Sequence, residues 1–223
     1  MIIATERAKR PHEFSTSKKE DIVIPCHKQD CPFCFGNEDC TEQEVFRLSD
    51  GWGWKIRVVR NKYPALSLTG EKVRNVEGIY RSLSGVGIHE VLIEHRRHDV
   101  NIALLSIADV ANILEAYRQR YIEIKKDPRM EAIIIFKNHG KEAGTSLEHP
   151  HSQIVATPVV PSQVRIRVEE EIRFFDDTGE CVCCRTIADE LKAKERIIFE
   201  SDHFVAFIPY AALSPFHTWI FPR

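Results

Sequence analysis

Apolar residues in this chain fall into short dense runs separated by longer polar stretches. Ile133-Ile134-Ile135-Phe136 and Ile154-Val155-Ala156 flank the polar, glycine-bearing stretch Asn138 to Gln153, which predicts two strands joined by a loop. Trp52 to Arg60 reads as a strand stopped by Asn61-Lys62-Tyr63-Pro64, and Glu90 to Glu94 as another, entered from Gly85-Val86-Gly87-Ile88-His89. The period then changes. Ile107, Val110, Ala111, Leu114, Tyr117 and Tyr121 recur on one face of a helix predicted over 107–126, and Ser106 with Asp109 three residues on forms a capping box at its start. Beyond Pro161, Ser162 is placed to cap a second helix, with Val164, Val168, Ile172 and Phe175 on one side and Arg165, Arg167, Glu169, Glu170 and Glu171 on a solvated other side. Asp176-Asp177-Thr178-Gly179 closes it and marks a candidate linker.

From Cys181 the pattern starts again. Cys181-Val182-Cys183-Cys184 answers Cys31-Pro32-Phe33-Cys34. Phe204 to Leu213 then answers Arg57 to Leu66, and His217-Thr218-Trp219-Ile220-Phe221 answers His89-Glu90-Val91-Leu92-Ile93. Matches in one order predict an internal duplication. In that register Arg223 stands opposite His95, so the second copy stops before any counterpart of His98, the long helix or the His-Pro-His row. The expectation is a fragment, or a second lobe cut short.

The candidate chemistry lies between the first two runs. If the strand after the loop begins by His149, then His149, His151 and Gln153 share one face while Pro150 and Ser152 take the other. Two imidazoles and an amide then converge beside Gly140, Gly144, Thr145 and Ser146. Glycines let backbone approach an anion, hydroxyl and amide groups donate to it, and a neutral imidazole can attack phosphorus. The plain alternative is a pair of surface histidines beside a turn. In Cys31-Pro32-Phe33-Cys34-Phe35-Gly36 the Pro and Gly suit a zinc knuckle, and no helical pattern follows as a thioredoxin-like redox pair requires. Zinc is the better reading, and it needs two more ligands. Arg7, Lys9 and Arg10 precede Pro11 on an extended segment, either a solvated edge or an arm that reaches a phosphate.

Composition narrows the setting. The 223 residues suffice for a substantial core, and 43% hydrophobic with 29% charged residues fits a globular protein. A formal net charge of −2 gives no global attraction to nucleic acid or to an anionic membrane, so an anionic substrate must be held by local groups. No apolar stretch reaches the length of a bilayer span, and the seven cysteines fit thiols or metal ligands better than a disulfide framework, so the expected location is the cytoplasm.

With Arg7 to Pro11, Cys31-x-x-Cys34, Asn61 to Pro64, the Asn138 to Gln153 block and the second Cys-x-x-Cys in this order, the chain resembles the galactose-1-phosphate uridylyltransferases of the histidine triad superfamily. The block ending His149-Pro150-His151-Ser152-Gln153 is the most specific part of the resemblance. It implies an α+β fold: a histidine-triad-like half-barrel of mostly antiparallel strands with packed helices, in tandem duplicated lobes. A catalytic lobe would span 1–178, and an incomplete second lobe would begin at 179–223. It implies His151 as the nucleophile that takes UMP from UDP-glucose and passes it to galactose 1-phosphate in a ping-pong double displacement. Gln153 would hold the transferring phosphoryl group and Ser146 would contact a phosphate oxygen. Asn138 and Gly144 would lie in the nucleotide site, Asn61 near the nucleoside, and Arg7 and Arg10 would approach from the neighbouring subunit of a homodimer. Cys31, Cys34, His98 and His149 would bind a structural zinc, and Cys181 and Cys184 would form half of a second site. The substrates implied are nucleotide sugars and sugar phosphates. Two other readings stay open: a relative that forms an adenylyl-histidine, such as an ADP-sugar phosphorylase, and a zinc-stabilised nucleotide-binding protein without turnover.

Overall fold

The structure, a computed structural model, describes residues 24–140, 143, 145 and 147–223. By contact the chain divides into two compact units, Val23–Pro161 and one that contains Ser162–Arg223. The first unit holds β1 (Glu44–Asp50), β2 (Gly53–Arg60), β3 (Arg74–Glu77), β4 (Tyr80–Leu83), β5 (Ile88–Ile93), α1 (Ile107–Ile124), β6 (Ala132–Phe136) and β7 (His151–Thr157). Five of these strands form one antiparallel sheet in the order β1-β2-β5-β7-β6, and β3 and β4 make a separate hairpin.

Alternate residues of the central strands go to opposite faces, and both faces are covered. Leu92 packs with Ile56, Val58, Ile113 and Ala116 on the side of α1, where Ile88, Ile124, Ile154 and Ala156 extend the same layer. On the other face Val91 and Ile93 pack with Val59, Trp54, Cys31, Phe33 and Cys34. Double coverage explains why β5 reads as a near-continuous apolar run, and each such side chain contributes roughly 1.5–3 kcal/mol on burial. At the entry to β5 a Cβ on Gly87 would stand 2.6 Å from the Ala156 carbonyl oxygen, so the close approach to β7 requires glycine there.

Helix α1 begins where the sequence predicts, with Ser106 Oγ accepting from the Asp109 N–H at 3.1 Å. Its buried stripe differs from the predicted one. Ile113, Ala116, Arg120 and Ile124 face the sheet, whereas Ile107, Leu114 and Tyr121 are 91%, 58% and 45% exposed. Arg120 belongs to the stripe because its guanidinium donates twice, at 2.8 Å each, to the fully buried Glu90 carboxylate. A pattern that counts arginine as polar turns the stripe away from the sheet.

The second unit contains α2 (Ser162–Thr178), α3 (Val182–Ala193) and the antiparallel strands β8 (Ile197–Glu200), β9 (Phe204–Phe207) and β10 (Trp219–Pro222), in the order β10-β9-β8. The helix over 162–178, which the sequence reading assigns to the first lobe, groups by contact with these elements. Val164, Val168, Ile172 and Phe175 are exposed. The architecture is α+β, with antiparallel sheets and packed helices, as the sequence implies. Among the described residues no helix is long and apolar enough to cross a membrane.

Candidate active site and metal centre

The turn before β1 is a knuckle built by its own backbone. Cys34 N–H donates to the Cys31 carbonyl at 3.2 Å, Lys28 N–H donates to Cys34 Sγ at 3.3 Å, and Asn37 Nδ2 ties down the Cys31 carbonyl at 2.7 Å. Gly36 follows at φ +94, a conformation that L side chains rarely adopt. The two sulfurs are thereby turned inward against His98 and His149.

The ligand atoms of Cys31, Cys34, His98 and His149 all lie within 4.8 Å of one another, and all four residues are buried. Cys34 Sγ is 3.5 Å from His98 Nδ1 and 3.6 Å from His149 Nδ1, and Cys31 Sγ is 3.8 Å from His149 Nδ1. A tetrahedral ion with bonds of about 2.3 Å to sulfur and about 2.0–2.1 Å to nitrogen would set sulfur and nitrogen roughly 3.5 Å apart, so the four atoms fit one metal ion. His149 Nε2–H donates to the His95 carbonyl at 2.7 Å, which leaves Nδ1 as the ligand atom. Burial above all lowers the His149 imidazole to about 4 and pushes the Cys31 thiol up to about 11. The imidazole is therefore ready to ligate, and the thiol calls for a cation to hold it as thiolate. The Glu148 carboxylate lies 3.7 Å from His98 Nε2 and bonds Lys28 Nζ at 2.5 Å.

Strand β7 begins at His151, two residues later than the alternation argument assumes, so His149 lies before the strand, in the cluster, and only His151 and Gln153 share its outward face. Pro150 carbonyl accepts the Glu94 N–H at 3.1 Å, which holds the entry to β7 against the end of β5. His151 Nδ1–H donates to the His149 carbonyl at 2.8 Å, leaving Nε2 with its lone pair free. Phe33 of the knuckle stands edge-on to both rings, with centroids 6.1 Å from His149 and 5.5 Å from His151. Beneath the strand, Ser152 hydroxyl donates to Glu94, Tyr117 and Ser152 share a 2.5 Å bond, and Lys137 Nζ bonds Glu94 at 2.5 Å.

Of the predicted site residues, Asn61 lies at the end of β2 and Asn138 lies exposed two residues past β6. The ladder between β6 and β7 ends at the pair of Phe136 with Gln153, two residues before Asn138. Arg7, Arg10, Gly144 and Ser146 lie outside the described residues. Cys181 and Cys184 belong to the second unit, at the N-terminal end of α3, and among the described residues they join no group of three or more possible metal ligands. One residue at the site escaped the sequence reading: His89, whose Nε2 lies 2.8 Å from Gln153 Oε1 and 3.0 Å from Asn61 Nδ2. Its signal was the match between His89 and His217, which served only to mark a repeat.

An antiparallel sheet with a helix on one face, and on the other a Cys2His2 cluster joined to a strand-borne histidine with a free ring nitrogen, defines an α+β domain able to chelate a metal ion. A family profile described as "Galactose-1-phosphate uridyl transferase, N-terminal domain" matches residues 1–161, and the chain belongs to this family. It is 38% identical over its whole length to an ADP-glucose phosphorylase of Arabidopsis thaliana, covering 62% of that protein. It is 26% identical over 88% of its length to a galactose-1-phosphate uridylyltransferase of Thermotoga maritima, covering 58% of it. The crystal structure of an ADP-glucose phosphorylase from Arabidopsis thaliana with bound ADP-glucose superposes with a TM-score of 0.74 at 35% identity, covering 92% of this chain and 61% of the other. The chain thus spans about three fifths of the length of these relatives.

Proposed function

We propose that the chain carries the nucleophilic half of a nucleotidyltransferase acting on nucleotide sugars, with adenylyl transfer from an ADP-sugar as its leading activity. The observation that carries the reaction type is the free Nε2 of His151, with the opposite nitrogen donating to the His149 carbonyl. That lone pair attacks the α-phosphorus, the bond to the bridging oxygen breaks, and sugar 1-phosphate leaves while the nucleotide stays on His151. An acceptor phosphate oxygen then attacks the same phosphorus and expels the imidazole. With inorganic phosphate the products are ADP and free enzyme; with a hexose 1-phosphate they are a new nucleotide sugar. Gln153, Asn61 and Asn138 hold the phosphates and nucleoside, joined by Gly144 and Ser146 and by Arg7 and Arg10 of a neighbouring subunit.

The choice of adenine rests on the 38% identity to the ADP-glucose phosphorylase. Uridylyl transfer between UDP-glucose and galactose 1-phosphate is the second reading, favoured by the family match over residues 1–161. In both, Cys31, Cys34, His98 and His149 hold a structural zinc, whose donor set of two thiolates and two imidazoles suits that ion. Its chemistry is to fix the knuckle and His149. Cys181 and Cys184 are offered as half of a second zinc site.

We read the chain as tandem copies of a histidine-triad-like half-barrel, a catalytic lobe over 1–178 and the start of a second over 179–223. The strand pairs support this reading: β2 pairs β5 through Arg57 with Ile93, Val58 with Leu92 and Val59 with Val91, and β9 pairs β10 through Val205 with Phe221, Ala206 with Ile220 and Phe207 with Trp219. On this correspondence Val205, not Phe204, stands where Arg57 stands, one residue further on than the sequence match has it. Intact-protein mass spectrometry after separate incubation with ADP-glucose and UDP-glucose, quenched without acid, tests the whole reading. An adenylyl adduct discharged by phosphate is expected; a uridylyl adduct discharged by galactose 1-phosphate would favour the second reading, and no adduct with either would leave a nucleotide-binding protein.

A further inference from the structure

His89 sits on β5, on the same face of the sheet as His151 and Gln153 of the neighbouring β7. Its ring is fixed from both ends. The Ala65 N–H donates to Nδ1 at 3.1 Å. A backbone N–H can only donate, so Nδ1 bears the lone pair, and the proton of the neutral ring is on Nε2. Gln153 Oε1 is 2.8 Å from that nitrogen and accepts the proton's hydrogen bond. Asn61 Nδ2 is 3.0 Å away, but its amide is oriented independently, because Oδ1 accepts the Tyr63 N–H at 2.8 Å. Two donors do not bond each other, so Nε2–H pairs with Gln153, and the Asn61 amino group stays available for a ligand.

An amide whose oxygen is held presents its amino group the other way. We propose that His89 is a positioning residue that fixes Gln153 with its oxygen on Nε2–H and its amino group aimed as a donor at the phosphate carried by His151. This rests on the reading of His151 and Gln153 given above. Without His89 the two ends of the Gln153 amide become interchangeable, and half a turn sets an oxygen against a phosphate oxygen. In the second unit the Leu213 N–H stands 3.1 Å from His217 Nδ1 and the Trp219 indole N–H stands 3.1 Å from Nε2, so a neutral ring with one lone pair accepts from only one of them and has no amide oxygen at Nε2. The Nε2 bond to Gln153 is thus particular to His89 and the site.

Two substitutions separate the Nδ1 and Nε2 bonds of His89. His89→Asn retains an acceptor near the Nδ1 position but has no group that reaches Gln153. His89→Gln extends an amide N–H to the Nε2 position and loses the Nδ1 acceptor. Single-turnover formation of the nucleotidyl adduct from ADP-glucose, or from UDP-glucose if that is the reactive donor, should slow by about 10- to 100-fold in His89→Asn and by no more than about threefold in His89→Gln. His89→Asn added to Gln153→Ala should cause no further loss. The reverse order of the two substitutions, or additive losses, overturns the proposal. If the unmutated chain forms no adduct, the reading of His151 has failed, and the tautomer decides the inference. Long-range proton–nitrogen NMR of histidine-labelled protein should place the His89 proton on Nε2, with a resonance that moves in Gln153→Ala. A proton on Nδ1, or a resonance indifferent to that change, overturns it.

Discussion

The two histidines of the His-Pro-His row have opposite free nitrogens because each neutral ring donates its one N–H to a different backbone carbonyl: His149 Nε2–H to His95, and His151 Nδ1–H to His149 itself. In the proposed roles, the metal-binding histidine therefore orients the nucleophile through one peptide carbonyl. Replacing His151 by Ala should leave the metal bound and lower adduct formation by at least about 10⁴-fold, since removal of a nucleophile removes the covalent route. Metal content and adduct yield of the same preparation check both halves, and an adduct that persists in His151→Ala would assign the nucleophile elsewhere. A pH dependence belongs to the cluster as well. In the metal-free protein Cys31 holds its proton up to about 11, while His149 loses its own above about 4. Over roughly pH 6 to 9, therefore, metal must displace a proton from Cys31 but none from His149, and affinity should rise at least about tenfold per pH unit. Competition with a chromophoric chelator measures the slope; a flat profile would contradict the protonated thiol.

At the scale of elements, α1 turns on which of its faces is buried. Ile113 is 1% exposed and Leu114 is 58% exposed, although the apolar pattern puts Leu114 on the core side. Ile113→Ala should cost about 2–5 kcal/mol and Leu114→Ala less than about 1, read from urea unfolding midpoints. Arg120→Ala should cost about 3–5 kcal/mol because it removes both hydrogen bonds to the buried Glu90 carboxylate and leaves it only the Arg60 guanidinium, 3.9 Å away. Equal effects of the Ile113 and Leu114 substitutions would mean that the helix packs as the sequence pattern has it. These residues also mark what was legible. Short apolar runs, Ser106 and the Pro–Gly knuckle act locally, and β2, β5, β6, β7, the helix start and the paired cysteines were read from them, whereas the more polar or exposed β1, β3, β4 and β8 were not. The Arg120–Glu90 pair joins residues on separate elements, and only packing tells that a buried arginine belongs to the apolar side. The start of β7 at His151 escaped for a similar reason: His149 is drawn out of the strand by Cys31, Cys34 and His98, residues far from it in sequence.

For the molecule as a whole, the cluster ties together three stretches that the sheet alone leaves separate: the knuckle at 31–34, the segment after β5 that carries His98, and the entry to β7 at His149. Hydrogen bonds make the same joins more weakly, as His98 N–H donates to the Cys26 carbonyl at 2.9 Å and Glu94 N–H to the Pro150 carbonyl at 3.1 Å. Removing the metal should therefore act first on the site and only then on the sheet. The knuckle and the His149 peptide lose their common anchor, while Leu92, Ile113 and Ile154, on the α1 face, keep their packing. Hydrogen exchange after chelation should rise at residues 26–37, 95–99 and 147–151 before it rises in β2 or α1, and adduct formation should fall in step with the metal lost. Refilling with zinc should restore both. Simultaneous loss of protection across the sheet would make the metal part of the core itself, and unchanged adduct formation in metal-free protein would detach the aim of His151 from the cluster beneath it.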